Sequence, residues 1–193
     1  MGNHLRWKHG LFGLLATGVL AGSASADPVE ETPSPCAGEA YDDFDFWLGS
    51  WEVYDPDGIF LGENKITAHE DHCLLIEHWI SEHGNTGQSY NFYDPAREEW
   101  RQIWASDWGL VDYSGGLNDQ GQMILIGEVT YRDGSAAPFM GIWTPNEDGS
   151  VTQTFKQFDA NTSTWADWFT GIYTPMSDPV FPEAAVSEDD DPA

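Results

Sequence analysis

The sequence predicts an all-β protein, an antiparallel up-and-down β-barrel of about ten strands preceded by a short N-terminal helical turn. Three observations predict it. Turn signals recur at short intervals: Asp55-Pro56-Asp57-Gly58, His83-Gly84-Asn85, Asp94-Pro95, Asn118-Asp119-Gln120-Gly121, Asp133-Gly134 and Glu147-Asp148-Gly149. The runs between them are β-branched, aromatic and often alternating. No helical periodicity lasts beyond the opening turn. Strands of this length can also stack as a sandwich, but the short consecutive connections favour a meander, and closing it removes the edge strands.

Taken in order, residues 1–26 read as a signal peptide. Arg6 and Lys8 form a positive start, Leu11 to Ala21 an apolar run, and Ala24-Ser25-Ala26 a small-residue cleavage site. The run is too short for a spanning helix, and Ser23 stands where lipidation needs a cysteine. Residues 27–35 are acidic and proline-punctuated, a disordered leader. The domain follows over 36–175, opening on Phe44-Asp45-Phe46-Trp47-Leu48-Gly49-Ser50-Trp51-Glu52-Val53-Tyr54, with five aromatics in eleven residues. A helical turn over Ala40 to Leu48 is expected to plug one end of the closed sheet, and Gly49 to let the backbone pass beneath Trp51. Between the turn signals the candidate strands are Trp51–Tyr54, Phe60–Ala68, Leu74–Ser81, Ser89–Tyr93, Trp100–Ser106, Leu110–Tyr113, Met123–Thr130, Phe139–Thr144, Val151–Phe158 and Thr164–Tyr173. Residues 176–193 form an acidic tail ending Ser187-Glu188-Asp189-Asp190-Asp191, a solvated and disordered end.

Composition limits the partners. The 193 residues carry 33 acidic and 7 basic side chains; without Arg6 and Lys8 the surplus is 28 negative charges. Such a surface repels nucleic-acid phosphates and anionic membranes, so neither nucleic acid nor stable membrane insertion is expected. Cys36 and Cys73 are the two cysteines, and in an oxidising compartment the pair is most simply a disulfide, contributing about 2–4 kcal/mol. A periplasmic or secreted location is expected from the signal peptide, and the cysteine pair fits it.

Strand alternation defines two faces, and neither is cleanly apolar. One carries Glu77 and Trp79, then Ser89, Asn91 and Tyr93, then Trp100, Gln102 and Trp104. The other carries Leu74, Ile76, His78 and Ile80, then Tyr90 and Phe92, then Arg101 and Ile103. Aromatics mixed in phase with Glu, Asn, Ser and Gln across three neighbouring strands suit the lining of a ligand cavity. A packed core around a buried hydrogen-bond network fits the same pattern.

These residues also carry a resemblance. Phe44 to Val53 is similar to the opening of a large bacterial group of exported, lipocalin-like proteins of unassigned function. So are Gly62-Glu63-Asn64-Lys65-Ile66, Cys73 to Trp79, Ser89 to Asp94, Trp100 to Trp104, Met123 to Gly127, Trp143-Thr144-Pro145, Asp148 to Gln153, Thr164-Trp165 and Gly171-Ile172-Tyr173. Gly49-Ser50-Trp51 resembles the lipocalin Gly-x-Trp signature. The resemblance implies a calycin-type barrel and brings no established activity. Two departures stand out. The strand Thr164 to Tyr173 lacks the late basic residue that a lipocalin places over its tryptophan. The haem-binding calycins resembling nitrobindin use a histidine far down the chain, whereas the last here is His83. No cofactor is therefore expected.

The remaining candidates are weighed by spacing. His69 and His72 fall in a turn, His78 mid-strand and His83 at the far end of that strand, too far apart to meet one ion. Solvated turn histidines are the better reading, with a weak surface site as the alternative, and no metal is expected. Glu77, flanked by aromatics, is the candidate acid or base. No nucleophile elbow, phosphate loop or dinucleotide fingerprint occurs. Trp104 and Trp108 share a strand face and Trp165 and Trp168 do not, which ranks sugar stacking below apolar binding. The expectation is an exported container for a small, mostly apolar, neutral or cationic ligand. Its lining would be Trp79, Ser89, Asn91, Tyr93, Gln102, Trp104 and Trp143, with Glu77, Asn91 and Gln102 as polar anchors. The alternative is an isomerase, cyclase or hydrolase of a small hydrophobic substrate using Glu77, and a third reading is a filled structural barrel.

Overall fold

The computed structural model describes residues 34–176. The expected signal peptide, most of the leader and all but the first residue of the acidic tail lie outside them. Ten strands follow a short helical entry: α1 Glu39–Asp42, a 3-10 turn Asp45–Trp47, then β1 Gly49–Tyr54, β2 Phe60–His69, β3 Leu74–Ser81, β4 Thr86–Asp94, β5 Glu99–Ser106, β6 Gly109–Leu117, β7 Met123–Tyr131, β8 Ala136–Pro145, β9 Val151–Asp159 and β10 Thr164–Pro175. Each strand pairs antiparallel with its sequence neighbour, and β1 pairs with β10 from Trp51↔Pro175 to Tyr54↔Ile172. The barrel is closed, a meander as expected. Among the described residues no helix is long and apolar enough to cross a membrane.

Five of the hairpins share one hydrogen-bond pattern. In the first, Gly58 N–H donates to the Asp55 carbonyl and Asp55 N–H to the Ile59 carbonyl. The Asp55 carboxylate caps the turn by accepting from the Asp57 and Ile59 N–H groups at 2.9 and 2.8 Å. Gly58 takes φ +82°, where a side chain would be strained. The same ladder of bonds recurs around Gly84, Gly121, Gly134 and Gly149. Local turn chemistry therefore supports the register at these corners.

The entry segment is the plug. Phe44 and Trp47 are fully buried and stack at 5.0 Å. Phe44 meets Trp100 and Trp143 edge-on at 5.6 and 5.2 Å, and Trp47 lies 5.6 Å from Trp143 and 6.4 Å from Tyr173. Edge-to-face contacts of this kind add to simple area burial. Two backbone carbonyls of the entry are tied to the barrel wall, Trp47 O accepting from Trp51 Nε1 at 3.0 Å and Ala40 O from Trp100 Nε1 at 2.9 Å. Gly49 adopts φ +142°, and the Trp51 ring lies 3.4 Å from where a Cβ would stand. Cys36 and Cys73 are bonded, fastening the segment to the β2–β3 corner.

The single helical turn expected over Ala40 to Leu48 is broken in two. Phe44 leaves the helical region at φ −108°, ψ 7°, which lets Phe44 and Trp47 both face into the barrel. Several strands also run further than expected. Gly87, Ser114-Gly115-Gly116 and Ala136-Ala137-Pro138 are poor strand formers, yet they pair in register because their neighbours hold them.

Trp47→Ala is expected to lower the unfolding free energy by about 3–5 kcal/mol in a urea titration, the usual cost of emptying a buried aromatic site. Reducing the disulfide should remove a further ~2–4 kcal/mol. A Trp47 variant of unchanged stability would mean that the plug is not part of the core.

Candidate functional site

Along each strand, inward residues are spaced about 6.6–7 Å apart, so they fall into layers down the barrel. The floor is the plug with Ile66, Leu75, Trp100, Met123, Leu125 and Trp143, all buried. Above it lies a polar layer, and above that a ring of aromatics around an opening.

The polar layer is one chain of hydrogen bonds passing through β6, β5, β4, β3, β2, β10 and β9. Tyr113 Oη donates to Gln102 Oε1, and Gln102 Nε2 to Asn91 Oδ1. Asn91 Nδ2 donates to Ser89 Oγ at 2.9 Å and to the Leu75 carbonyl at 3.1 Å; Ser89 Oγ then donates to Glu77 Oε2 at 2.6 Å. From the other side Asn64 Nδ2 donates to Glu77 Oε1 at 2.7 Å and reaches Tyr173 Oη at 3.3 Å, which donates to Gln153 Oε1 at 2.6 Å. The side-chain-to-side-chain bonds of the first arm all run in one direction, ending at the Glu77 carboxyl. Buried polar atoms demand such pairing.

Glu77 is 3% exposed, and burial pushes its carboxyl up to about 7 from 4.5, against the opposing hydrogen bonds from Ser89 and Asn64. Burial, and next the Glu77 charge, also raises the Tyr113 and Tyr173 hydroxyls well above 10, so both remain neutral donors.

The cavity above this layer measures about 180 Å³. Glu77, Gln102, Tyr113, Gln153 and Tyr173 form its base, and Trp79, Trp104, Trp108, Phe155, Trp168 and Phe169 its upper wall. Two exterior grooves have larger volumes, about 390 and 380 Å³. Both lie among charged or turn residues on the outside of the sheet, so the smaller enclosed space is the better-formed site. Trp104 lies flat against β4 because residue 87 is glycine; a Cβ there would overlap the indole. Its Nε1 is buried without a protein partner. Trp108 and Trp168 meet at 5.6 Å across the mouth.

Of the residues singled out from sequence, Glu77, Trp79, Gln102 and Trp104 line this cavity. Ser89 and Asn91 are buried within the polar layer and act on the cavity through Glu77 and Gln102. Tyr93 lies towards the plug, 5.1 Å from Tyr41 and 6.4 Å from Trp100, and Trp143 belongs to the floor. Both share the inward face but sit in the wrong layer. Asn91 and Gln102 are not the groups bonded to Glu77; Asn64 and Ser89 are.

Sequence reasoning missed Asn64, Tyr113, Gln153 and Tyr173, which alternate inward on strands not compared. It also missed the Trp168-Phe169 pair. The β9–β10 register jumps from Asp167↔Lys156 to Phe169↔Phe155, and this bulge at Trp168 turns two consecutive aromatics towards one cavity. Adjacent bulky aromatics breaking an alternation were the available signal.

The histidines need one correction. His72 is not a freely solvated turn residue: its Nε2 lies 2.8 and 3.1 Å from the two Asp45 oxygens and 3.9 Å from Asp42 Oδ1. This pair ties the entry helix to the β2–β3 corner beside the disulfide. The ligand atoms of Asp42, Asp45 and His72 lie within 4.8 Å of one another, at partly exposed positions. His69 and His78 are bonded elsewhere, to Thr67 and Gln88.

No family model matches the chain, and no curated protein is similar to it.

The raised Glu77 carboxyl makes stability depend on pH. Between about 4.5 and about 7 the folded protein holds a proton that the unfolded chain has lost. That contribution is complete below the unfolded value and disappears as pH rises through about 7, an effect of roughly 3 kcal/mol for a shift of this size. Glu77→Gln mimics the protonated carboxyl, and the unpaired Asn64 Oδ1 can accept from the new amide after a flip. The variant is expected to match the wild type in chemical denaturation at pH 4, below the unfolded value, and to exceed it at pH 8. Equal stability at both values would show that Glu77 ionises without penalty.

Proposed function

We propose that the protein is an exported, lipocalin-like container that holds a small, mostly apolar ligand inside the barrel. The observation that carries this reading is the division of the interior: the plug fills one end, while above the polar layer an aromatic-walled cavity stays open. An eight-strand barrel is just wide enough for side chains to fill it, and ten strands leave more bore than that. Apolar walls with a few fixed polar groups are the usual make-up of a small-molecule site. At about 180 Å³ the enclosed part suits one ring and a short substituent, since an engineered apolar cavity of about 150 Å³ takes benzene. Glu77 and Gln102 are the anchors, and Trp79, Trp104 and Phe155 the walls. The signal-peptide pattern over residues 1–26 and the Cys36–Cys73 disulfide support export.

A second reading is favoured by one specific feature, the carboxyl at the cavity base held near neutral pH. A group so poised can move a proton in either direction, which suits an isomerase, cyclase or hydrolase of a small hydrophobic substrate. A pH–rate profile with a single titration near pH 7, absent from Glu77→Gln, would distinguish catalysis from storage.

Native mass spectrometry of the protein from its own compartment should detect a stoichiometric non-covalent adduct. Gly87→Ala, which must push the Trp104 indole away from β4, should lose it while retaining the barrel by circular dichroism. An adduct-free mass for the wild type, with aromatic solvents such as toluene also failing to bind, would favour a filled structural barrel.

A further inference from the structure

The charge pattern of the cavity narrows the ligand class, and this inference rests on the container reading above. The base of the cavity is rich in acceptors. Glu77 contributes a carboxyl whose two oxygens each accept one protein hydrogen bond. Gln102 and Gln153 present carbonyl oxygens, each of which already accepts from a tyrosine. A carboxylate or amide oxygen has a second lone pair to offer. Tyr113 and Tyr173 spend their hydroxyl protons inside the layer, so they give no proton to the cavity.

Among the described residues no cation pairs with the carboxyl. None of the thirteen residues lining the cavity is Lys, Arg or His. The titratable groups facing Glu77 are Tyr113 from β6 and Tyr173 from β10; its other polar neighbours, Asn64, Ser89, Gln102 and Gln153, do not titrate. Lys65 and His78 adjoin Asn64 and Glu77 in the chain, but alternation puts them on the outer face, where they are register partners. An ionised carboxyl in such a place is costly unless it is paired.

The walls complete the argument. Trp79, Trp104, Trp108 and Trp168, with Phe155 and Phe169, surround the space above the carboxyl. Aromatic faces attract organic cations, and most strongly when water is excluded. The chain as a whole carries net charge −26, a field that concentrates cations at its surface and repels anions.

We propose that the cavity binds a small organic ammonium ion, with its N–H groups directed at Glu77, Gln102 and Gln153 and its hydrocarbon part held among the tryptophans. The ligand is then the missing counter-charge of the buried carboxyl. Binding requires the ionised form, so affinity rises with pH through neutrality. A site whose competent state falls from about nine-tenths to about one-tenth populated loses close to tenfold in apparent affinity. That is the change expected between pH 8 and pH 6.

The test uses benzylammonium chloride and its neutral counterpart benzyl alcohol, titrated into the disulfide-bonded protein at 0.3 M salt. Calorimetry and tryptophan fluorescence report binding. Benzylammonium is expected to bind at least tenfold more tightly than benzyl alcohol at pH 8, with the advantage falling about tenfold at pH 6. Glu77→Gln should abolish the preference while still taking benzyl alcohol. The pH dependence of the wild type carries the test even if that variant folds poorly. Val111→Phe, which fills the cavity from β6, should lose both compounds; benzylammonium binding that survives it would place the cation on the acidic exterior and overturn the proposal. Benzyl alcohol binding as tightly as the amine at both pH values would overturn the ammonium assignment and leave the container reading intact. Failure of both compounds to bind would overturn the two together.

Discussion

A sheet of ten strands closed on itself has a bore that must be filled, sealed or left open, and the rest of this structure follows from how the bore is divided. Phe44 and Trp47 are inserted from outside the sheet and packed against Trp100 and Trp143. They are held there by two indole-to-carbonyl hydrogen bonds, the Cys36–Cys73 disulfide and the His72–Asp45 pair. With one end sealed, the polar layer has a dry floor. Without the plug, water would reach Glu77 from below and its carboxyl would lose the environment that perturbs it.

The polar layer is a compromise between two costs. Eight side chains from seven strands pair almost completely, which rigidifies the barrel around its waist and fixes which oxygens face the cavity. The residual cost falls on the unpaired Asn64 Oδ1 and on the Glu77 carboxyl, which receives two donors and, among the described residues, no cation. A barrel built only for stability would place an apolar side chain there, since apolar replacements of buried charges are often neutral or stabilising. The retention of a buried carboxyl beneath an open aromatic mouth ties the energetics of the fold to the proposed chemistry of the site.

Much of this architecture was legible in the sequence because it is written in local chemistry. The Asp55-to-Gly58 turn and its four counterparts announce hairpins through an αL glycine, and strict alternation put Glu77, Ser89, Asn91 and Gln102 on the inward face. Depth was not legible. Tyr93 and Trp143 share that face with Trp104 but lie a layer or more below it, and height along a barrel depends on register and tilt, which no single strand encodes. Trp168 and Phe169 stayed hidden because a bulge breaks the period on which face assignment rests. Tyr173 comes from β10, distant in the chain from β3, and the closure of β1 on β10 brings it to Asn64 of the neighbouring β2, whose inward face was not compared with that of β3. The break in the entry helix at Phe44 was likewise set by packing, since the plug needs both aromatics inside.

The central claim is that Glu77 lies in a dry polar layer, sealed below and open to an aromatic cavity above. Carbon-detected NMR of the side-chain carboxyl across pH 3 to 10 addresses it most directly. A single titration with its midpoint near 7 is the predicted result. A midpoint at the ordinary carboxylate value near 4.5 would show that water reaches the group freely, and would contradict both the sealed layer and the site built upon it.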